Sequence, residues 1–541
     1  MASVGQEAPT LFLRKATGLV KGWSKFDAFL YSFMSVNFVT LGLFFALSVL
    51  AFVPTGQVLP ALLISGVFVT FLVITYASLI SVMPRAGGDY VWQSRVLGGG
   101  IAFVLAVTGW WFILWYWAPV YANILNVELF QPLAAIFKLG GLSDFLATKT
   151  GLFTVCVITV VLAGFLVSLG MEGYARVQKY CFYIGMAALG LVFLVMLFGS
   201  RSGFESAFNQ EATNLFGAKS NAYQQTIQVA HSNNGGQIVP NIGFSPFFGK
   251  SLLLIPFLCF WILWPNWGAT LYGEVRGASD FKRVLSGMMW GLWVTVAIAA
   301  VFLLLASKFF GWQFFNGANL NYWSGNGPMP VWSYPPLLVG FYFHNSLITG
   351  LILLAFGAWF LGWAGTLFLS STRVIFAAAF DRILPERVAD VSEGKGVPVW
   401  ALVLMLVPAL LVSALYAYTS NFQTFILDAT LVIAVTFFGT SIAAIVLPWR
   451  KKGLYQNSPI ARYNVAGIPL ITISGVLTAG FIGFNLWEWF KNDLYAVNDK
   501  TSLVFMGTMY ALALVVYVVA KVVRKRQGID LNAIYREIPV E

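Results

Sequence analysis

The 541-residue chain is 59% hydrophobic and only 10% charged, with a formal net charge of +11. Soluble domains carry about 25% charged residues, so this composition excludes an ordinary soluble protein and indicates an integral membrane protein. The apolar runs are about 20 residues long and do not alternate, which indicates transmembrane helices rather than a β-barrel. Of the 32 Lys and Arg residues, 24 fall on one side of the predicted topology and 8 on the other. This asymmetry follows the positive-inside rule and accounts for the net charge without a nucleic-acid partner.

Cysteine and histidine are too few and too scattered for a redox or metal centre. Cys156, Cys181 and Cys259 all fall inside apolar segments, so no disulfide framework is expected. His231 and His344 are the only histidines, and both lie in or beside predicted loops. We therefore expect no metal and no haem.

Hydropathy predicts an all-α fold of twelve transmembrane helices, called spans 1 to 12 below. The predicted ranges are 27–52, 60–83, 100–127, 151–170, 178–200, 250–272, 284–309, 346–376, 398–418, 422–448, 467–490 and 502–523. An even number of spans puts both termini on one side, and the basic clusters at 450–452 and 524–526 identify that side as the cytoplasm. The first 25 residues are polar, without the apolar core of a signal peptide.

Span 1 contains a polar interruption in the middle of an apolar run. Ser35 and Asn37 are followed by Thr40 and Gly42. Hydroxyl groups that bond back to their own helix, with Asn37 bridging to a neighbouring helix, would also explain these residues. The position of the patch, five spans before a second interruption, favours an unwound segment.

Span 3 is rich in aromatic residues. Trp111 and Trp115 are four residues apart on one helix face, where they could line an aromatic pocket and contact an amine through cation–π interactions. For Trp117 and Tyr121 we favour a place at the membrane interface, where such side chains are common.

The second interruption lies in span 6, within the stretch from Gly249 to Glu274. Its apolar run meets the sequence Trp264-Pro265-Asn266 about halfway. Proline removes a backbone donor and clashes with the preceding turn, so the helix must kink or unwind there. Freed backbone groups at membrane depth are tolerated only when buried in protein or lining a wet cavity. A broken helix with an amide side chain and indoles around it is typical of a transporter binding site, although a structural kink packed by neighbouring helices would look the same.

The two interrupted spans suggest an inverted repeat of two five-helix units, the LeuT-like arrangement. The predicted division is an N-terminal cytoplasmic tail (1–26), a first repeat (27–200), a long external loop (201–249), a second repeat (250–448), two additional helices (449–523) and a C-terminal cytoplasmic tail (524–541). The sequence leaves open whether the 201–249 loop is partly disordered or covers an outer vestibule.

Three motifs resemble those of the amino acid–polyamine–organocation permeases. The segment Pro84-Arg-Ala-Gly-Gly-Asp-Tyr90 resembles the PRxGGxY loop after span 2. The segment Gly273-Glu-Val-Arg276 resembles "EEVKNP" after span 6, although Gly277-Ala278 replaces the usual Asn-Pro. The segment from Ser371 to Pro385 resembles "SSR…ARDGxLP" after span 8. All three fall on the predicted cytoplasmic face, and the resemblance covers about residues 20–450.

The resemblance implies a substrate site at the two broken helices. Asn266 falls where some relatives place an Asn beside the substrate, Phe260 where they place a gating aromatic, and Trp264 where they usually have glycine. Asn266 could instead simply cap the broken helix. The candidate substrate-binding residues are Ser35, Asn37, Thr40, Trp111, Trp115, Phe260, Trp261, Trp264 and Asn266.

Span 1 departs from the family pattern. The family's Gly-x-Gly turn, whose backbone amides approach the substrate carboxylate, has no match between Ser35 and Gly42. Either side chains such as Asn37 and Thr40 replace that cradle, or the substrate is not a standard α-amino acid.

For ion coupling, the sequence offers two sets of residues. Ser370, Ser371 and Thr372 in span 8 fall where sodium-coupled relatives of the wider fold place hydroxyls, although they could bond back to their own helix. Asp428 is the best carboxylate within a span, and such residues are functional candidates. It could equally lie near the outer surface as a helix-start charge. Gly185 occupies the position of a span-5 lysine found in some proton-coupled permeases.

Charged residues at the cytoplasmic ends of spans 6 and 8 have two interpretations. Glu274, Arg276, Arg373 and Asp381 could form ion pairs of an inner gate or anchor loops. They could equally be solvated surface charges.

The sequence thus predicts a secondary transporter of the plasma membrane that moves an amino acid or related amine by alternating access, driven by H⁺ or Na⁺ or by exchange. Its expected partners are the small-molecule substrate and the lipid bilayer, with no cofactor beyond the coupling ion. A permease for another small polar solute and a ligand sensor without flux are the alternatives. An enzyme is not expected, because no nucleophile–base pair, metal cluster or phosphate loop appears.

Overall fold

The computed structural model describes residue 19 and residues 23–46, 52–233, 238 and 240–538. Within this part of the chain, twelve helical segments are long and apolar enough to cross a membrane, which confirms the predicted number. They are Phe26–Leu43, Val58–Val82, Gly99–Ile136, Lys149–Ser168, Gly170–Phe198, Ser251–Glu274, Phe281–Trp323, Ser346–Phe380, Val399–Tyr418, Ile426–Arg450, Leu470–Lys491 and Lys500–Arg526. The predicted end of span 1, beyond residue 46, lies outside the described residues.

Five of the spans are continued or interrupted by irregular turns. Span 1 consists of the α-helix Lys25–Val36 and the π-helix Phe38–Ala46. Span 3 contains Gly99–Ala102, Phe103–Phe112 (π), Ile113–Leu125, Asn126–Phe130 (π) and Gln131–Ile136. Span 6 contains Ser251–Leu253 (3₁₀), Leu254–Ile262 and Trp267–Glu274 (3₁₀). Span 7 contains Phe281–Ala306, Ser307–Gly311 (π) and Trp312–Trp323, and span 8 contains Ser346–Ala364 and Thr366–Phe380.

Shorter elements connect the spans. They are the α-helices Gly88–Val96, Gly140–Ala147, Arg201–Phe216, Ala222–Asn233, Pro335–Phe341, Lys452–Gln456 and Leu531–Ile534, the 3₁₀ turns Ser420–Thr424, Glu386–Ala389 and Asp493–Tyr495, and a two-stranded hairpin of Asn464–Val465 with Ile468–Pro469.

The long external segment is folded where the structure describes it. Its helices Arg201–Phe216 and Ala222–Asn233 pack together, and the second lies against the end of span 7. There the Tyr223 ring stacks on Phe314 with centroids 4.4 Å apart, and the Asn321 amide donates to the Thr226 carbonyl at 2.8 Å. Residues 201–216 and 222–233 therefore form two packed helices, and a role of the 201–249 segment in covering an outer vestibule stays a prediction.

The packing of the spans follows the predicted inverted repeat. Span 1 packs against span 7, and span 6 packs against span 2; span 5 packs against span 8, and span 10 packs against span 3. In an inverted repeat, spans 1, 2, 3 and 5 of the first unit correspond to spans 6, 7, 8 and 10 of the second. The contact of span 1 with span 7 therefore matches that of span 6 with span 2, and the contact of span 5 with span 8 matches that of span 10 with span 3. Span 11 lies against spans 2 and 10, and span 12 against span 3.

At one end of the bundle, arginines of spans 10 and 12 bind backbone carbonyls of two other segments. Arg524 donates to the carbonyls of Arg382 and Leu384, at 2.6 and 2.8 Å, and Arg450 donates to the Val96 carbonyl at 3.0 Å. These bonds tie spans 10 and 12 to the loops after spans 2 and 8. We call this the basic end.

Candidate functional site

Both predicted interruptions are confirmed, and they lie side by side. The first helix of span 1 ends at Val36, and Asn37 adopts a left-handed conformation with φ 53° before the π-helix begins. In span 6 the α-helix ends at Ile262 and the 3₁₀ helix begins at Trp267, so the unwound turn contains Pro265 as expected. The Ser32 hydroxyl donates to the Pro265 carbonyl at 2.8 Å, so span 1 binds a backbone group that the proline break has freed.

Span 8 is also interrupted, at Gly365 between its two helices. Tyr174 of span 5 donates to the Gly362 carbonyl at 2.7 Å, and Gln178 donates to the same oxygen at 3.1 Å. A Cβ atom on Gly365 would lie 2.6 Å from the Tyr174 ring, so this close approach requires glycine. Side chains of span 5 therefore satisfy the backbone carbonyl that the interruption frees.

The Asn37 side chain holds the span 1 interruption in shape. Its Nδ2 donates to the Tyr121 hydroxyl at 2.7 Å, and its Oδ1 accepts from the Trp359 indole at 2.9 Å and from the Thr40 backbone N–H at 3.2 Å. The side chain of Trp359 occupies the space beside Gly185, where a Cβ atom would lie 2.6 Å from the ring. The amide that we predicted as substrate-binding thus has three protein partners in this conformation.

Ser35 and Thr40 lie on either side of Asn37 in the sequence. The Ser35 hydroxyl donates to the Tyr31 carbonyl at 2.6 Å, four residues earlier in its own helix. The Thr40 hydroxyl lies 2.7 Å from the Tyr121 hydroxyl. Both side chains are buried, and Ser35 borders the central cavity described next.

A small cavity of about 10 Å³ lies between the interruptions, close to the volume that one water needs. It is lined by Ser35, Leu41, Trp117, Trp264, Trp267 and Trp363. This volume cannot admit an amino acid, so the aromatic side chains must move apart for a ligand to enter the cavity.

Two of the lining indoles are fixed by bonds to the backbone. The Trp264 N–H donates to the Phe260 carbonyl at 2.6 Å, and the Trp267 N–H donates to the Thr366 carbonyl at 3.1 Å. Phe260 in turn stacks on Trp117, with centroids 4.9 Å apart and planes at 18°. The predicted residues Phe260 and Trp264 are therefore part of the aromatic cluster around the cavity.

Asn266 is fully buried, and its amide lies near the Tyr76 hydroxyl but forms no hydrogen bond of ordinary geometry among the described residues. It begins the second half of span 6 and faces the Tyr76 side chain of span 2. Its side chain makes no capping bond to the helix that follows it, so the capping alternative is not observed. Trp261 is buried against Gly42, and its indole N–H also lacks a partner in the described part of the chain.

The aromatic residues of span 3 are arranged differently from our expectation. The indoles of Trp111 and Trp115 donate to the Leu404 carbonyl of span 9, at 3.3 and 3.2 Å, and neither lines the cavity. Trp117 and Tyr121 are only 2% and 0% exposed and lie at the protein centre. Their interpretation as interfacial residues is therefore wrong.

A helical stripe could have identified the central residues of span 3. Trp110, Leu114, Trp117 and Tyr121 recur at spacings of four, three and four, which places them on one face. All four are buried, and Trp110 packs on Trp267 with centroids 4.7 Å apart.

The three hydroxyls predicted for ion coupling bond within the protein. Ser370 donates to the Trp267 carbonyl at 3.0 Å and lies 2.9 Å from the Tyr31 hydroxyl. Ser371 and Thr372 bond to carbonyls of their own helix, at 2.9 and 2.7 Å. Only the first of these hydroxyls joins span 8 to the two interrupted spans.

Asp428 lies in the first turn of span 10, consistent with the helix-start alternative. It is fully buried, and its carboxylate lies near the Ser502 hydroxyl of span 12 without a hydrogen bond of ordinary geometry in the described ranges. It does not border the central cavity.

Two buried ion pairs close the basic end. Arg373 of span 8 donates to both oxygens of Glu274, at 2.7 and 3.0 Å, with side chains 0% and 2% exposed. Arg95 donates to both oxygens of Asp381, at 2.5 and 2.8 Å. The predicted residues Glu274, Arg373 and Asp381 therefore form buried pairs rather than solvated charges, and Arg95 is a partner that the sequence did not reveal.

The C-terminal segment lies against the second pair. Arg95 also donates to the Glu537 carbonyl at 3.1 Å, and its guanidinium lies 5.7 Å from the centre of the Tyr535 ring. The tail after span 12 therefore contacts the same residue that joins the loop after span 2 to span 8.

Asp89 is a buried carboxylate in the glycine-rich loop. One of its oxygens accepts from the Tyr76 hydroxyl and from Thr440 at 2.5 Å, and the other accepts from the Trp110 indole at 2.9 Å. All three partners are neutral, and burial raises the pKa of the Asp89 carboxyl to about 6 against these hydrogen bonds, which lower it.

Replacing Asp89 by asparagine should flatten the pH dependence of stability. A carboxyl whose pKa is higher in the folded state stabilises the protein at low pH and loses that contribution as pH rises through about 6. Between pH 5 and pH 7.5 the free energy of unfolding of the wild type should thus fall by about 1.4 kcal/mol relative to that of Asp89→Asn. Melting temperatures of both proteins in detergent across this range check the prediction, and parallel pH profiles would contradict it.

The family assignment agrees with this geometry. The model of the amino acid permease family matches residues 26–520, from the start of span 1 into span 12. No curated protein matches the chain significantly. The family match confirms the resemblance seen in the three loop motifs and, together with the twelve apolar helices, supports a membrane transporter. The chain belongs to the amino acid permease family, within the amino acid–polyamine–organocation superfamily.

Proposed function

We propose that this permease moves an amino acid or a related amine across the plasma membrane by alternating access, with the basic end in the cytoplasm. The observation that carries the proposal is the buried Asn266 amide in the span 6 interruption, which forms no hydrogen bond of ordinary geometry among the described residues and follows Pro265, whose carbonyl binds Ser32 of span 1. Unsatisfied buried polar groups are costly, so a ligand that bonds to this amide would offset an existing cost.

The small cavity and the ion pairs at the basic end support a conformation that is closed toward that end. The aromatic cluster leaves about 10 Å³, and the Arg373–Glu274 and Arg95–Asp381 pairs join spans and loops at the basic end. Opening toward that end would require these pairs to separate or to move together with their helices.

The span 1 interruption favours a second candidate, a permease for another small polar solute. Two backbone N–H groups there are occupied, since Thr40 donates to the Asn37 side chain at 3.2 Å and Gly42 donates to the Asn37 carbonyl at 3.0 Å. A substrate that depends on a glycine-rich backbone cradle would therefore have to be held in another way.

Uptake into liposomes tests the proposal. Purified protein is reconstituted, and uptake of labelled amino acids and amines is measured under Na⁺ and H⁺ gradients imposed separately, and under counterflow. We expect saturable uptake of at least one amino acid or amine, driven by one gradient or by exchange. Saturable binding without flux under any condition would instead indicate a sensor. Flux of other polar solutes without any binding of amino acids or amines would favour the second candidate.

A further inference from the structure

The Asp89 carboxylate is buried beside the second half of span 6, and all of its hydrogen-bond donors are neutral. The Tyr76 hydroxyl of span 2, the Thr440 hydroxyl of span 10 and the Trp110 indole of span 3 donate to it. No lysine or arginine of the described residues bonds to it. A buried carboxylate without a paired cation is costly, and protonation removes that cost.

The cations on the elements packed around Asp89 have other partners. The charged or titratable groups at this end are Tyr76 on span 2, Arg85 in the loop after it, Tyr90 and Arg95 on helix Gly88–Val96, Tyr272 and Glu274 on span 6, Arg373 on span 8 and Asp381 after it, Arg450 on span 10, and Tyr535 in the tail. Two of the arginines bond to carboxylates, and the other two donate to backbone carbonyls. Among all these groups, Tyr76 is the one that bonds to Asp89. Burial therefore dominates the titration and raises the pKa of the Asp89 carboxyl to about 6.

Two contacts connect Asp89 to the central site. The Trp110 ring packs on Trp267, which lines the central cavity, with centroids 4.7 Å apart. The Tyr76 hydroxyl, which donates to Asp89, also lies near the Asn266 amide. A tyrosine hydroxyl donates a single hydrogen bond, so while it donates to the ionised Asp89 it cannot donate to Asn266. Once Asp89 is protonated, its own O–H can donate to the Tyr76 oxygen, and the Tyr76 hydrogen is free to turn toward the Asn266 amide.

We propose that Asp89 is a proton-binding site of the transport cycle, and that Tyr76 connects it to the Asn266 amide. This inference rests on the proposed transport function and names H⁺ as its coupling ion. A proton from water in the open central site reaches the carboxylate through the Tyr76 hydroxyl, which passes on its own hydrogen and receives another. Substrate binding favours the closed conformation, in which the buried Asp89 holds the proton, and opening of the basic end hydrates the carboxyl and releases the proton there. Proton and substrate therefore move in the same direction.

Two substitutions with opposite effects test the site. Asp89→Asn keeps the size of the side chain and cannot take up the proton. Thr440→Val keeps the shape of the side chain and removes one hydrogen bond that stabilises the charged carboxylate. Each protein is reconstituted into liposomes that contain a pH-sensitive dye, and the probe is the labelled amino acid or amine with the largest saturable uptake by the wild type. Uptake is measured with and without an inward H⁺ gradient, counterflow is measured at equal pH, and melting temperatures show whether each variant is folded.

In the wild type we expect the H⁺ gradient to raise uptake at least ten-fold and substrate entry to acidify the liposome interior. In Asp89→Asn the ratio of gradient-driven uptake to counterflow should fall at least ten-fold, and the acidification should be lost. Thr440→Val should keep both responses. Its external pH of half-maximal uptake should move up by about one unit, because losing a hydrogen bond to the carboxylate favours the protonated form.

Full gradient-driven uptake in Asp89→Asn would overturn the inference. Equal losses of gradient-driven uptake and counterflow in the folded variant would overturn it too, since the carboxyl would then serve only the structure. If Asp89→Asn does not fold, an unchanged pH midpoint in Thr440→Val decides against the site. A wild type driven by Na⁺ or by exchange overturns the inference and leaves the proposed function standing, whereas a wild type without any flux overturns both.

Discussion

Replacing Arg373 by methionine should destabilise the protein by about 3–5 kcal/mol, because Glu274 would be left as an uncompensated buried charge. The two side chains are 0% and 2% exposed and share a bidentate contact that joins the end of span 6 to span 8. We expect this loss as a lower melting temperature and a lower yield of monodisperse protein in detergent.

Two control variants test whether the loss of stability comes from an unpaired charge in a buried site. The double variant Arg373→Met with Glu274→Gln should recover much of the loss, since it removes both charges. Lys179→Met removes one partner of the pair with Asp27, whose lysine is 39% exposed, and should cost less than about 1 kcal/mol. If Arg373→Met and Lys179→Met were equally stable, the buried pair would not hold the basic end closed.

Replacing Asn266 by leucine should reduce substrate uptake at least a hundred-fold and leave stability unchanged or slightly higher. The amide forms no hydrogen bond of ordinary geometry among the described residues and only lies near the Tyr76 hydroxyl, so the folded protein gains little from its polarity. Replacing an unsatisfied buried group by an apolar one of similar size is close to neutral for stability. Uptake into liposomes and melting temperature in detergent, measured on the same preparation, check the prediction.

Asn37→Leu is the matched comparison, because that amide has three protein partners. It should lose both stability and uptake, since it leaves the Trp359 N–H and the Thr40 N–H unsatisfied and places leucine in a left-handed conformation. A stability loss in Asn266→Leu as large as in Asn37→Leu would contradict a ligand-binding role for Asn266.

The interruptions could be predicted because their causes are local. Pro265 cannot continue a helix, and a polar patch such as Ser35 to Thr40 is out of place in an apolar span. The arrangement of the side chains around them depends on tertiary partners. The sequence predicts that Asn37 contacts the substrate, but its amide is hydrogen-bonded to Tyr121 and Trp359. These partners lie 84 and 322 positions away in the sequence, so no pattern within span 1 indicates them.

The aromatic residues of span 3 show the same limit. Tryptophans 110 and 117 lie on one face of the helix and 111 and 115 on the neighbouring face, so tryptophan content alone did not select the face toward the cavity. The packing of span 9 determines which face of span 3 is turned toward the cavity. The Leu404 carbonyl of span 9 binds the indoles of Trp111 and Trp115, and Trp117 is therefore at the centre.

The glycine-rich loop after span 2 was recognised as a motif, but the burial of its polar residues was not predicted. Gly87 has φ 93°, and a Cβ atom there would lie 2.5 Å from Ala377. Glycine therefore allows helix Gly88–Val96 to press against the second half of span 8, which buries Asp89 and Arg95. A loop between two spans is normally expected at the surface, so the sequence alone gave no reason to bury these charges.

Several span ends differ from the hydropathy prediction for a similar reason. Span 3 continues to 136 instead of 127 because a π-helical turn at 126–130 carries the helix past the end of the apolar run, and span 7 is followed after Gly311, whose φ is 83°, by a second helix that ends at 323. Such turns depend on the backbone path and leave little trace in composition.

The central claim is that the cavity between the interruptions is the transport site and opens to each side in turn. Ser35→Cys places a thiol at this cavity, in a background whose three buried native cysteines are replaced by alanine. Labelling with a membrane-impermeant thiol reagent is measured from each side of oriented liposomes, with and without a transported amino acid. We predict slow labelling from both sides and protection by the substrate, because the occluded cavity excludes the reagent. Labelling from one side only under every condition, or labelling that substrate does not change, would contradict the account.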